Sequence, residues 1–201
     1  MRFLVRLANE RKFKPSDARA LALSSYRAVK GYGADVGNLR VSGTAVELDL
    51  LLESKGTLQA AVKSLEVHVG GVLTVRELDT PPAKVDPVET IREGVELFNA
   101  ERYWESHEAL ESAWRVASGA EKEVLQGVIL TAAALVHLQK NRTTVALSVM
   151  RRANEKLIGH EGEHFGINIS RLHEEIARMI AAGHVDFFKI QGRRHSTRAA
   201  A

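Results

Sequence analysis

Two consecutive prolines, Pro81 and Pro82, constrain this chain more than any other feature. Each fixes its own φ and lacks a backbone donor, so helix and sheet both stop there. On the N-terminal side, apolar residues alternate with the period of two that strands require, broken by two amphipathic stretches. On the C-terminal side the period is almost everywhere that of a helix. The break predicts an α+β domain at residues 1–80, a Pro-rich linker at 81–86, an all-helical bundle at 87–184 and a basic tail at 185–201.

The first 80 residues read in a simple order. RFLVRLA is a strand and PSDARALALSSYRAVK a helix; NLRVS and AVELDLLL are strands joined through Gly43; KGTLQAAVKSLEVHV is a second helix and VLTVREL a last strand. A βαββαβ unit closes most simply as a four-stranded antiparallel sheet with both helices on one face, the ferredoxin-like arrangement. In the first strand Phe3, Val5 and Leu7 share one face, and Arg2, Leu4 and Arg6 the other. In the third, Val46, Leu48 and Leu50 oppose Glu47, Asp49 and Leu51. The second face is thus charged rather than aromatic, which argues against base stacking of the kind that RNA-recognition sheets use. Its charges are expected to pair across strands. The glycines from Gly31 to Gly37 follow a helix instead of preceding one, so they read as a C-cap and turn, not a phosphate loop.

Beyond the linker, Asp86-Pro87 opens a helix with a capping residue and a proline at its first position. Helices are expected over 87–99, 102–117, 121–139, 143–158 and 170–182, with connections short enough to make neighbours antiparallel.

Within this region one run carries a specific pattern: Phe98-Asn99, then Tyr103-Trp104-Glu105-x-His107-Glu108-x-Leu110-Glu111-x-x-Trp114, then Leu125-Gln126-Gly127 and a small-residue helix reaching His137. The pattern resembles the family called domain of unknown function 309, over about residues 91–155. The resemblance implies a helical bundle and brings no activity with it.

At about 100° per residue, Tyr103, His107, Leu110, Glu111 and Trp114 share one face of the 102–117 helix, while Glu101, Glu105 and Glu108 point elsewhere. An ionisable pair on an apolar face needs partners, and Gln126 and His137 share a face of the 121–139 helix. Together these predict a polar pocket lined by His107, Glu111, Gln126 and His137 and walled by Tyr103, Trp104 and Trp114. Three readings stay open. His107, Glu111 and His137 supply two imidazoles and a carboxylate for a divalent metal, as in a metal-dependent hydrolase. The pocket takes a small polar ligand or a protein partner's side chain. Or it is a satisfied polar network that fixes the packing of the bundle. The leading reading is a non-catalytic binding or interaction module, with homo-oligomer formation or ligand sensing assigned to the small domain.

His160-Glu161-Gly162-Glu163-His164 matches the H-E-x-x-H zinc motif in letters. Glycines at 159, 162 and 166 undermine the helix that the motif needs, so a loop with two surface histidines is expected. The charge balance, 28 Lys and Arg against 25 Asp and Glu, is only +3. Lys189, Arg193, Arg194 and Arg198 form the one basic cluster; it reads first as a short solvated terminus without a partner, and non-specific contact with nucleic acid is the minor alternative. Cysteine is absent, which excludes disulfides and thiolate chemistry. No apolar run is long enough to cross a membrane and the N-terminus does not read as a secretory signal, so a cytoplasmic protein is expected.

Overall fold

In a computed structural model of the protein, residues 1–78 and 86–191 are described. The linker prolines lie outside them, as do Arg193, Arg194 and Arg198. The architecture is α+β: a four-stranded N-terminal sheet followed by a helical region. The described residues group into two compact units. One comprises the sheet, its helices and residues 137–142; the other comprises the remaining residues from 86 onward.

The first unit is built from β1 (Arg2–Ala8), α1 (Ala18–Val29), β2 (Ala34–Val41), β3 (Ala45–Leu52), α2 (Leu58–His68) and β4 (Val72–Glu77). The strand order is β2-β3-β1-β4, with every neighbouring pair antiparallel. The expected alternation sets the core. Phe3, Val5 and Leu7 of β1 and Val46, Leu48 and Leu50 of β3 pack with Leu21 and Val29 of α1 and Ala61 and Leu65 of α2. Strand β2 starts earlier than the sequence suggested: Ala34 to Gly37 pair with β3, and a bulge then separates Gly37 from Arg40. Asn38 stands in the bulge with a left-handed φ of 48° and donates to Asp49 Oδ2 at 2.8 Å, a local bond that holds the irregularity in place. Gly33, in the left-handed region at φ 67°, is the cap that the glycine run promised.

The charged face of this sheet is paired across strands as expected, but it is not a solvated face. Arg40, Glu47 and Asp49 are 1–2% exposed. Arg2 bonds Asp49 at 2.6 Å, Arg6 approaches Glu47 at 3.2 Å, and Arg40 lies 3.4 Å from Glu47 and 3.5 Å from Asp49. Arg40 stands opposite Glu47 in the register. From the turn at 140–141, Lys140 Nζ donates to Asn38 Oδ1 at 2.9 Å. Burial, reinforced by the nearby charges of Arg40 and Arg142 and opposed by Asp49, holds the Lys140 ammonium below its ordinary pKa.

The second unit contains α3 (Pro87–Asn99), α4 (Tyr103–Trp114), most of α5 (Gly119–Gln139), α6 (Thr143–Leu157) and α7 (Ile169–Ala182). Asp86 caps α3, its carboxylate accepting from the Val88 N–H at 2.8 Å, with Pro87 at the first turn. Helices α3 and α4 meet where Gly94 leaves room: a Cβ there would lie 2.7 Å from Leu110 Cγ. Ser106 Oγ donates to the Gly94 carbonyl at 2.7 Å across the same contact.

Two expectations are revised here. The H-E-x-x-H segment is irregular over residues 160–162, but its last two residues enter a small hairpin of β5 (Glu163–His164) and β6 (Ile167–Asn168). His160 is only 15% exposed and stands 3.6 Å from Glu123 of α5. Residues 185–191, expected as the start of a solvated tail, are packed: Val185 and Ile190 are buried, because the apolar residues of VDFFKI outweigh its charges.

Candidate functional site

Helix α4 places the expected residues on a buried arc and its flank. Tyr103, Ser106, Leu110 and Ala113 are buried, at spacings of three and four. This arc is rotated from the expected one. His107 and Glu111 therefore fall on its edge, with side chains 30% and 34% exposed. Ser106 takes an inward position where α3 approaches closely at Gly94.

The expected pocket does not assemble as one set. Tyr103 is fully buried in the core, its ring edge-on to Phe98 at 5.0 Å. Burial, with the charge of Glu101, pushes its hydroxyl pKa well up. Gln126 and His137 are eleven residues apart on α5, which separates them by roughly 16 Å along the axis, too far to line one small pocket. His137 groups with the first unit. Burial, followed by the charges of Arg142 and Lys140, holds its pKa below the ordinary value. Its Nδ1 is buried and has no hydrogen-bond partner among the described residues.

What the fold does bring together is His107, Glu108 and Glu111, whose donor atoms all lie within 4.8 Å of one another. His107 Nδ1 stands 3.6 Å from Glu108 Oε1 and 4.0 Å from Glu111 Oε2. Arg115 holds the other side of Glu111 at 3.1 Å. Helical periodicity sets Glu108 aside as an outer glutamate. Its place directly after His107, with a side chain long enough to turn back, was the available signal. Glu105, set aside in the same way, is buried at 6% exposure, and Arg102 donates to both its oxygens at 2.7 and 2.8 Å.

Trp104 and Trp114 are each partly buried on α4. Trp114 carries Lys122 4.5 Å from its ring centroid, a cation–π contact. Its indole Nε1 is buried with no hydrogen-bond partner among the described residues. Two cavities lie elsewhere. One of about 270 Å³ borders α7 and residues 188–191, and one of about 560 Å³ borders Tyr26, Lys30, Asp35 and Leu51 in the first unit.

A family model described as a domain of unknown function, DUF309, matches residues 91–149. Residues 91–149 are thus similar to DUF309. Every residue of the expected pocket, and Glu108 with it, falls inside the DUF309 match, whereas the four-stranded sheet lies outside it. The crystal structure of a conserved hypothetical protein from Thermus thermophilus is 38% identical, over 45% of this chain and 94% of its own, with a TM-score of 0.40. No curated protein matches the chain. Among the described residues, no helix is long and apolar enough to cross a membrane.

Proposed function

We propose that the chain is a non-catalytic binding module whose DUF309 segment presents a recognition surface on α4. The observation that carries this reading is the convergence of His107, Glu108 and Glu111 on a half-exposed surface, on the same helix as two partly buried indoles. Two carboxylates and an imidazole within 4.8 Å favour a cationic ligand. A basic side chain of a protein partner, or a small polar cation, has that chemistry. Titration of isotope-labelled protein with an arginine hexapeptide tests it. Amide shifts confined to α4 are expected, and a Glu108→Gln, Glu111→Gln variant should lose them; unmoved α4 amides in the wild-type chain would overturn the reading.

The same convergence favours a second reading, in which a divalent ion is held by His107, Glu108 and Glu111. The ligand types suit zinc or a neighbouring transition metal, with further positions left to water. Glu111 would have to give up Arg115. His137 is not a member of this ligand set, in contrast to the sequence expectation of His107, Glu111 and His137. Zinc titrated by calorimetry separates the two assignments: binding lost in His107→Ala and kept in His137→Ala supports the α4 set.

We infer a ferredoxin-like arrangement for the first unit, supported by the order β2-β3-β1-β4 and by the packing of α1 and α2 into one core on one face. A domain at residues 1–80 and another at 87–184 go with that inference. The grouping of the described residues supports it, with residues 137–142 counted with the sheet.

A further inference from the structure

Residues 185–191 form no helix or strand, yet their backbone is fixed at two points. Asn99 of α3 donates through Nδ2 to the Ile190 carbonyl at 3.0 Å, and its Oδ1 accepts from the Ile190 N–H at 2.8 Å. The Gln191 carbonyl accepts from the Asn168 N–H at 3.2 Å, directly before α7 begins. Phe188 meets Phe98 edge-on at 5.4 Å. The segment is thus a set wall beside the first turns of α7, and the cavity of about 270 Å³ lies between the two.

The residues around that cavity divide by chemistry. Leu172 and Ile190 are buried and Phe188 is partly buried, which gives the cavity an apolar floor; Arg171 and Lys189 line it from exposed positions. Neither cation has an ion-pair partner among the described residues. Glu175 is the one acidic residue that lines the cavity, and Arg178 donates to both its oxygens, at 2.5 and 3.2 Å. That bonding holds the Glu175 carboxyl below its ordinary pKa against the opposing effect of burial, so it stays ionised and occupied. Arg171 stands in the first turn of α7, where the positive end of the helix dipole adds to the excess. Two cations without a bonded anion therefore border a cavity whose carboxylate is already neutralised.

The geometry points to a binding site for a small organic anion: a carboxylate that meets Arg171 and Lys189, on a short apolar body that covers Leu172, Phe188 and Ile190. Sites for drug-sized ligands run from about 300 to 1,000 Å³, so this one takes a single ring or a short branched chain. A guanidinium matches a planar carboxylate through two parallel hydrogen bonds. An inorganic ion would satisfy the cations but leave the apolar floor wet, whereas an organic acid gains that burial as well. None of the lining residues falls within the DUF309 match, and none belongs to the His107 surface, so the site is independent of the binding reading given for α4.

The test adds benzoate to the isotope-labelled full chain. Saturable amide shifts are expected at Leu172, Glu175 and residues 188–191, with a midpoint in the millimolar range. Benzyl alcohol has the ring without the charge, and orthophosphate the charge without the ring; each should bind at least about tenfold more weakly. An Arg171→Gln, Lys189→Gln variant should weaken benzoate by about tenfold or more. Both positions are exposed, so the fold survives the change. The absence of saturable shifts by about 50 mM benzoate would overturn the site. Benzyl alcohol binding as tightly as benzoate would take the cations out of it, and orthophosphate binding as tightly would make it a site for inorganic anions; either result overturns the proposal, and neither depends on a variant. Wild-type affinity in the double variant would overturn the roles of Arg171 and Lys189, and the proposal with them.

Discussion

His137 shows how a single residue contributes to the pH response of this molecule. Burial comes first among the causes that depress its pKa, and Arg142 and Lys140, both on the turn that follows it, add to the effect. The folded chain therefore takes up this proton less readily than the unfolded chain, whose histidine titrates near 6.5. Below about that pH the unfolded state binds more protons, so stability falls as pH falls through 6.5 towards the depressed folded value. At pH 7.5 both states are neutral at this site and the contribution vanishes. A His137→Gln variant should accordingly lose less stability than the wild type between pH 7.5 and 5.5, read as the shift of the urea midpoint. An identical shift in both proteins would contradict the assignment. The unpartnered Nδ1 is consistent with the same account, since a buried imidazole without an acceptor gains nothing from a second proton.

At the scale of elements, α4 is where sequence and structure part company, and the reason is geometric. Helical periodicity alone placed Tyr103 and Leu110 inward correctly, but the apolar residues Tyr103, Leu110 and Trp114 drew the arc to one side. The approach of α3 at Gly94 drew it to the other, onto Ser106. A small residue leaves no mark in a hydrophobicity pattern, so that rotation was not legible. The consequence separates two glutamates of one helix. Glu105 is buried against Arg102, and Glu105→Ala should cost about 1–3 kcal/mol by removing two charge-assisted hydrogen bonds. Glu108, half exposed, should cost about 0.5 kcal/mol or less when changed to alanine. Chemical denaturation of the two variants side by side checks the contrast, and equal costs would place the buried arc where the periodicity first put it. The strands were more legible, because alternation at period two states both faces at once. Phe3, Val5 and Leu7 could only face a core. What alternation did not state was that the opposite, charged face would itself be buried. Charge argues for solvent unless its partners are known, and the sequence does not mark Arg40 as one.

That buried network bears on the whole molecule. Arg40 faces Glu47 and Asp49 with all three side chains 1–2% exposed, so removing the guanidinium leaves two carboxylates without their central counter-charge. Breaking a buried pair from one side costs about 3–5 kcal/mol, and Arg40→Met should show a loss of that order. How the loss is distributed follows from α5. The helix is continuous from Gly119 to Gln139, yet its last turn and the residues to Arg142 group with the sheet. A helix propagates cooperatively through its hydrogen bonds, so unfolding of the sheet unit should release one end of α5 and weaken the other. The chain's two tryptophans, Trp104 and Trp114, both belong to the helical unit. Indole fluorescence therefore follows that unit alone, while far-UV circular dichroism follows both. In Arg40→Met the two signals should shift together to lower urea, although the substitution lies in the sheet. A fluorescence midpoint that stays at its wild-type value while the dichroism midpoint falls would mean that α5 does not transmit the change. The two units would then unfold as independent bodies.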